Sequence, residues 1–119
     1  HLIILQEVNM TFIRITIFLS ILTIPIIVNS SNLLLSNDLS IKALKETEKD
    51  LDNAILLIQQ SLVLEPKNAK AWAIAGQIYL LNEDILSAER FYKKAKAIDP
   101  ILEEVKALKS LIDDKKKEE

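Results

Sequence analysis

The sequence predicts an all-α protein: antiparallel helix-turn-helix repeats following an N-terminal hydrophobic segment. Three observations carry this. The 119 residues include one glycine and three prolines, and no Asn-Gly or Asp-Gly pair offers a hairpin turn. Apolar residues recur at helical spacing in four runs after residue 50. A second, longer period matches the character of residues along two of those runs.

The first element is an address. The sequence opens on His1, so a start at Met10 or a fragment of a longer chain is expected, and from Met10 one positive charge, Arg14, precedes an uncharged apolar run from Ile15 to Val28. Asn29, Ser30 and Ser31 close it, with Val28-Asn29-Ser30 at the expected cleavage site. This is the three-part layout of a secretory signal peptide. Residues 1–30 are therefore expected to be upstream residues plus a signal peptide, and 31–119 the helical domain. Two other readings stand beside it. Residues 15–35 taken together approach the ~20 apolar residues of a membrane-spanning helix, in which Pro25 would be tolerated; the third reading is a buried core helix. The expected location is an exported compartment, periplasm or organelle lumen, or a membrane surface.

The remaining elements follow in order. Leu51, Ala54, Ile55, Ile58 and Leu62 mark a helix that stops at Glu65-Pro66, because proline cannot donate the next backbone hydrogen bond. "AKAWAIAGQIYLL" predicts a second helix ending at Asn82-Glu83-Asp84, and "ILSAERFYKKAKAI" a third ending at Asp99-Pro100. "LEEVKALKSLIDDKKKEE" predicts a last helix that dissolves into charge. The short connections make neighbouring helices antiparallel.

The longer period is 34. Pro66 pairs with Pro100, Ala54 with Ala88, Leu51 with Ile85, Ile58 with Tyr92, Ser61 with Ala95, Leu64 with Ile98 and Glu65 with Asp99. A helical pair of this length is the tetratricopeptide period. Residues 69–102 resemble one full tetratricopeptide repeat. The family's W-x2-L-G-x2-Y is here Trp72, Ala75, Gly76 and Tyr79, with alanine in place of leucine. Its A-x3-F is Ala88 and Tyr92, its later small residue Ala95, and its closing proline Pro100. Residues 35–68 match in their second half only. In the first half Asp38 and Lys42 stand at the aromatic and small positions, so a degenerate repeat or a frayed helix is expected over 36–48. Residues 103–119 would form a capping helix and charged tail. The resemblance thus implies an α-solenoid fragment of about two and a half repeats.

Trp72, Gly76 and Tyr79 are spaced to share one face of their helix, as are Ala88, Tyr92 and Ala95 on the next. Large and small residues alternate on both. The small ones are expected to let the two helices approach, with the aromatics filling the space beside them. The opposite stripe holds Lys70, Ala73, Gln77, Leu80 and Leu81. The resemblance makes this stripe the lining of a concave groove where a protein or peptide partner docks. Upstream it would continue through Ser36, Leu39, Ala43, Glu46 and Thr47, and downstream through Glu104, Ala107, Leu111 and Asp114. Some members of the family clamp a terminal carboxylate with Lys and Asn on this stripe. Ala73 and Gln77 occupy those places here, so that activity is not expected.

Composition narrows the function further. A formal net charge of −2 gives no footprint for nucleic acid. With no cysteine and only His1 as histidine, no nitrogen or sulfur metal site is expected. No cofactor is implied, since one glycine cannot build a phosphate-cradling loop. The paired acids Glu103-Glu104 and Asp113-Asp114 read as a solvated face. The expectation is a non-enzymatic binding module, an adaptor or assembly factor. Its alternative is a membrane-anchored subunit held by residues 15–35. About three repeats are needed for stability, so self-association or a partner is also expected.

Overall fold

The structure, a computed structural model, describes residues 31–119. The apolar run 15–28 and the Val28-Asn29-Ser30 boundary lie outside the described residues.

Local chemistry sets the helix boundaries. Helix α1 is described over residues 31–46, followed by α2 (Leu51–Leu64), α3 (Ala69–Leu81), α4 (Ile85–Ile98) and α5 (Glu103–Lys117). There is no strand among the described residues. Asp50, Asn68 and Asp84 cap α2, α3 and α4, each side chain accepting from the backbone N–H three residues on. That satisfies one of the donors a helix start leaves open. α2 ends where the N–H of Glu65 bonds Ser61 O, just before Pro66, and α4 ends where the N–H of Asp99 bonds Ala95 O, just before Pro100. Leu102 gives α5 no side-chain cap; instead Glu103 and Glu104 sit in its first turn and Lys115–Lys117 in its last. Both sets of charge complement the helix dipole.

The α3–α4 turn closes through a left-handed residue, Glu83 at φ 62°. The N–H of Glu83 reaches Leu80 O at 3.1 Å and that of Asp84 reaches Tyr79 O at 2.9 Å. These bonds fill the carbonyls that the end of α3 would otherwise leave unpaired.

α3 is the central helix, packed against α2, α4 and α5, and α4 also packs on α5. Its two sides feed two core groups. Ala71, Ile74, Ala75 and Ile78 meet Ala54, Leu57 and Ile58 of α2 and Ala43 of α1. Ala73 and Leu80 join Ala88 and Ala95 of α4 and Val105, Leu108 and Ile112 of α5. Ile58, Ile78 and Leu108 are fully buried, each contributing roughly 1.5–3 kcal/mol by leaving water.

Two packing expectations are corrected. Over 36–48 the chain is helical to residue 46 rather than frayed. Asp38 and Lys42 turn outward, and Ser36, Ser40 and Ala43, one helical face, are completely buried instead. Charged side chains at the expected inner positions rotate the helix until its small polar residues face inward. Ser36 Oγ donates to Ser61 O (2.9 Å), Ser61 Oγ donates to Ser36 O (2.6 Å), and Asn68 Nδ2 donates to Ser36 Oγ (3.0 Å) and Asn37 Oδ1 (2.8 Å). No buried side-chain polar atom among the described residues lacks a partner.

The second correction concerns Gly76. A Cβ there would strike the methyl groups of Leu108 on α5, 3.0 Å from Cδ1 and nearer still to Cδ2. The glycine makes room for α5, not for α4. Trp72 and Tyr79 instead flank Phe91 of α4, with ring centroids 5.7 and 4.9 Å away and the Tyr79 pair edge-on.

Candidate protein-binding cleft

The packing of α3 on α5 leaves an open cleft along one side of the pair. Gln77, Leu80, Leu81 and Glu83 form one wall, and Leu111, Asp114, Lys115 and Glu118 the other, around a volume of ≈ 340 Å³. Helical spacing puts the α5 residues on one face, because Val105, Leu108 and Ile112 on its other face are held in the core. Leu81 is 58% exposed and Leu111 44% exposed, so each helix presents a large aliphatic side chain to the opening.

Charges brace both ends of the contact. Lys70 Nζ of α3 lies 3.9 Å from Glu104 of α5. Lys115 Nζ lies 3.1 Å from each carboxylate oxygen of Glu83 and 3.8 Å from Glu118. Hydrogen bonding to Glu83, then its charge, raises the Lys115 pKa above the ordinary lysine value. Asp114 takes part in no ion pair among the described residues.

The expected groove stripe is thus only partly a surface. Gln77 and Leu81 line the cleft and Leu80 reaches it with a small residual area. Lys70 is half-buried at the far end of the pair. Ala73 is 0% exposed within the α4–α5 core group, a correction: α5 closes over it, and no partner can touch it. Upstream, Ser36 and Ala43 are likewise buried and line nothing. Downstream, Leu111 and Asp114 stand on the cleft as expected.

The other singled-out residues hold the walls in place. Trp72 Nε1 donates to Pro66 O at 2.6 Å, tying the α2–α3 turn to α3, while Lys94 Nζ sits 5.2 Å over its ring. Tyr79 Oη accepts from Gln59 Nε2 at 3.0 Å, joining α3 to α2. Ala88 and Ala95 are fully buried against α5, Tyr92 packs on the same group, and Pro100 is exposed in the last turn. Phe91, which sequence reasoning passes over, is the ring that α3 clasps. Its signal is present in the chain: it stands 34 residues after Leu57, a core residue of α2.

Two further hollows differ in character. One, on the α4–α5 side, is lined by Glu89, Lys93, Lys109, Asp113 and Lys116 among others, with charges already paired at 2.6 Å (Lys116–Glu89) and 3.1 Å (Lys109–Asp113). The other is a shallow apolar face on α2 around Leu56, Gln59, Gln60 and Val63. Among the described residues no group of three or more His, Cys, Asp or Glu could hold a metal ion, and no helix is long and apolar enough to cross a membrane. No family model, curated protein or solved structure matches this chain.

Proposed function

We propose that the chain is a tetratricopeptide-like interaction module, an adaptor or assembly factor without chemistry of its own, and that its partner docks in the α3–α5 cleft. The observation that carries the reading is the pair of exposed leucines, Leu81 and Leu111, facing one opening from two braced helices. Apolar anchors at helical spacing are what such grooves use to hold polypeptide segments. The repeat assignment has its own support. α4 starts and ends one full period after α2, and the aspartate caps and acidic helix ends recur at the same offset. α5 starts one period after α3.

The tagged full chain, purified from its native source, should bring down a partner that a Gln77→Ala/Leu81→Ser variant loses. Both side chains reach solvent, so the variant should melt as the parent does. Unaltered recovery by the variant would place binding on another surface. The N-terminal apolar segment would direct the module to an exported compartment as a signal peptide within residues 1–30, or hold it at a membrane as an anchor over residues 15–35. Carbonate extraction separates these: an anchored chain stays with the membrane pellet, whereas an exported one is released.

A further inference from the structure

The charge along the cleft identifies the chemistry of its occupant, an inference resting on the binding reading above. Three of the eight lining residues are carboxylates, Glu83, Asp114 and Glu118, against one cation, Lys115. That cation is spent within the wall, 3.1 Å from Glu83 and 3.8 Å from Glu118. Lys117, in the same last turn, is not part of the lining. What faces an incoming ligand is therefore Leu81 and Leu111, with the Asp114 carboxylate, which no lysine of the wall pairs, beside them. Leu111 and Asp114 are three residues apart on α5, about one helical turn, or roughly 4.5 Å along the axis.

We infer that the cleft takes a basic amphipathic polypeptide segment. It seats one large aliphatic side chain between Leu81 and Leu111 and sets a lysine or arginine, about one turn away, against Asp114. An acidic segment in the same register meets Asp114 head-on, and like charges placed together across an interface select against a partner. The second exposed apolar area, on α2, has no charge among its lining residues and makes no such distinction.

Two helical peptides of about four turns, with leucines in identical register and either lysine or glutamate at every other position, test this by fluorescence anisotropy with the full 119-residue chain. The lysine peptide should bind about tenfold tighter than the glutamate peptide, and the gap should narrow as salt screens the contact. Leu81→Ser should weaken the lysine peptide. Asp114→Lys should weaken it by about fivefold or more and strengthen the glutamate peptide. Both positions are exposed, so matching melting curves confirm folded variants. Preference for the glutamate peptide, still sensitive to Leu81→Ser, overturns the charge inference and leaves the cleft as a binding site. Lysine-peptide binding that ignores Asp114→Lys also overturns it. Indifference of both peptides to Leu81→Ser overturns the cleft itself.

Discussion

Compare α2 with α4. Each has 14 residues, each follows an aspartate that caps it, and each ends on an acidic residue ahead of a proline. The surroundings differ. α2 is fastened to α1 by serine hydroxyls and Asn68, whereas α4 meets α5 through Ala88, Ala95 and a dry cluster around Leu108. The outer faces differ too: one period on, Leu56, Gln59 and Gln60 of α2 correspond to Arg90, Lys93 and Lys94 of α4. Caps and stops set where a helix lies. What fills its two faces is chosen separately: on the α1 side serine hydroxyls and Asn68 pin an apolar group, whereas the core group shared with α5 is apolar throughout.

The dry end should break hardest. Gly76→Val drives a branched side chain into the methyl groups of Leu108, which is fully buried and must turn aside against its core neighbours. Overpacking of this kind should cost about 3 kcal/mol. Gly76→Ala should cost about 1 kcal/mol, because alanine's better helix propensity offsets part of the clash. Leu108→Ala alone should cost about 3 kcal/mol through the cavity it leaves. On that background Gly76→Ala should become neutral or stabilising. Urea denaturation of the four chains reads the coupling, and strictly additive effects would mean that Gly76 does not make room for α5.

The polar end should give less. Asn68→Ala removes the α3 cap and both bonds donated to α1, at about 2 kcal/mol. Asn68→Asp can still cap but cannot donate, and should recover about half of that loss. Equal losses for the two variants would show that the cap contributes nothing, and full recovery by the aspartate would show that the bonds to Ser36 and Asn37 contribute nothing.

The two ends were not equally legible. Asp84, Pro66 and Pro100 act on residues within a turn or two, so the boundaries of α2, α3 and α4 could be read locally. The burial of Ser36 depends on Ser61 and Asn68, 25 and 32 residues away, and nothing near Asp38 and Lys42 announces it. Helical spacing correctly put Gly76 on a packed face, yet a helical wheel says which face a residue occupies and not which helix covers it. Leu108 lies beyond the whole of α4. The same gap divides the cleft. Gln77, Leu81, Leu111 and Asp114 could be read as one lining, but Ala73 is sealed by α5, and no feature of α3 alone foretells that.

Titration should separate the ends by a smaller margin. Hydrogen bonds from Ser87 hold the Asp84 carboxyl below its ordinary value of 3.8. A depressed acid stabilises the fold above its unfolded pKa, and that contribution is lost as pH falls through the lower folded value. Lys115 and Lys116 are raised above 10.5 by hydrogen bonds to Glu83 and Glu89. Their contribution is complete below 10.5 and is lost as pH climbs through the higher folded values. The urea midpoint should therefore be nearly level from about pH 5 to 9 and sag on either side. All three groups belong to α4's cap or to α5. Asp84→Asn should flatten part of the acid limb and leave the alkaline limb alone; an unchanged acid limb would exclude the cap as its source.

The smallest effect should come from exchanging the outer faces. Leu56 is 52% exposed on α2, where α4 carries Arg90, whose Nη2 donates to Ser87 Oγ at 2.8 Å. Asn53 is the counterpart of Ser87 one period earlier, so an arginine at 56 has a polar side chain a single turn back to bond. Leu56→Arg with Gln60→Lys copies the α4 face onto α2 and should change stability by no more than about 0.5 kcal/mol, as expected for exposed positions away from packing. The variant's solubility should rise, because an apolar face has gained two charges. A loss above about 1 kcal/mol that grows with protein concentration would mean that this face is already covered by a second copy. The contrast between α2 and α4 would then mark an interface rather than a free choice of filling.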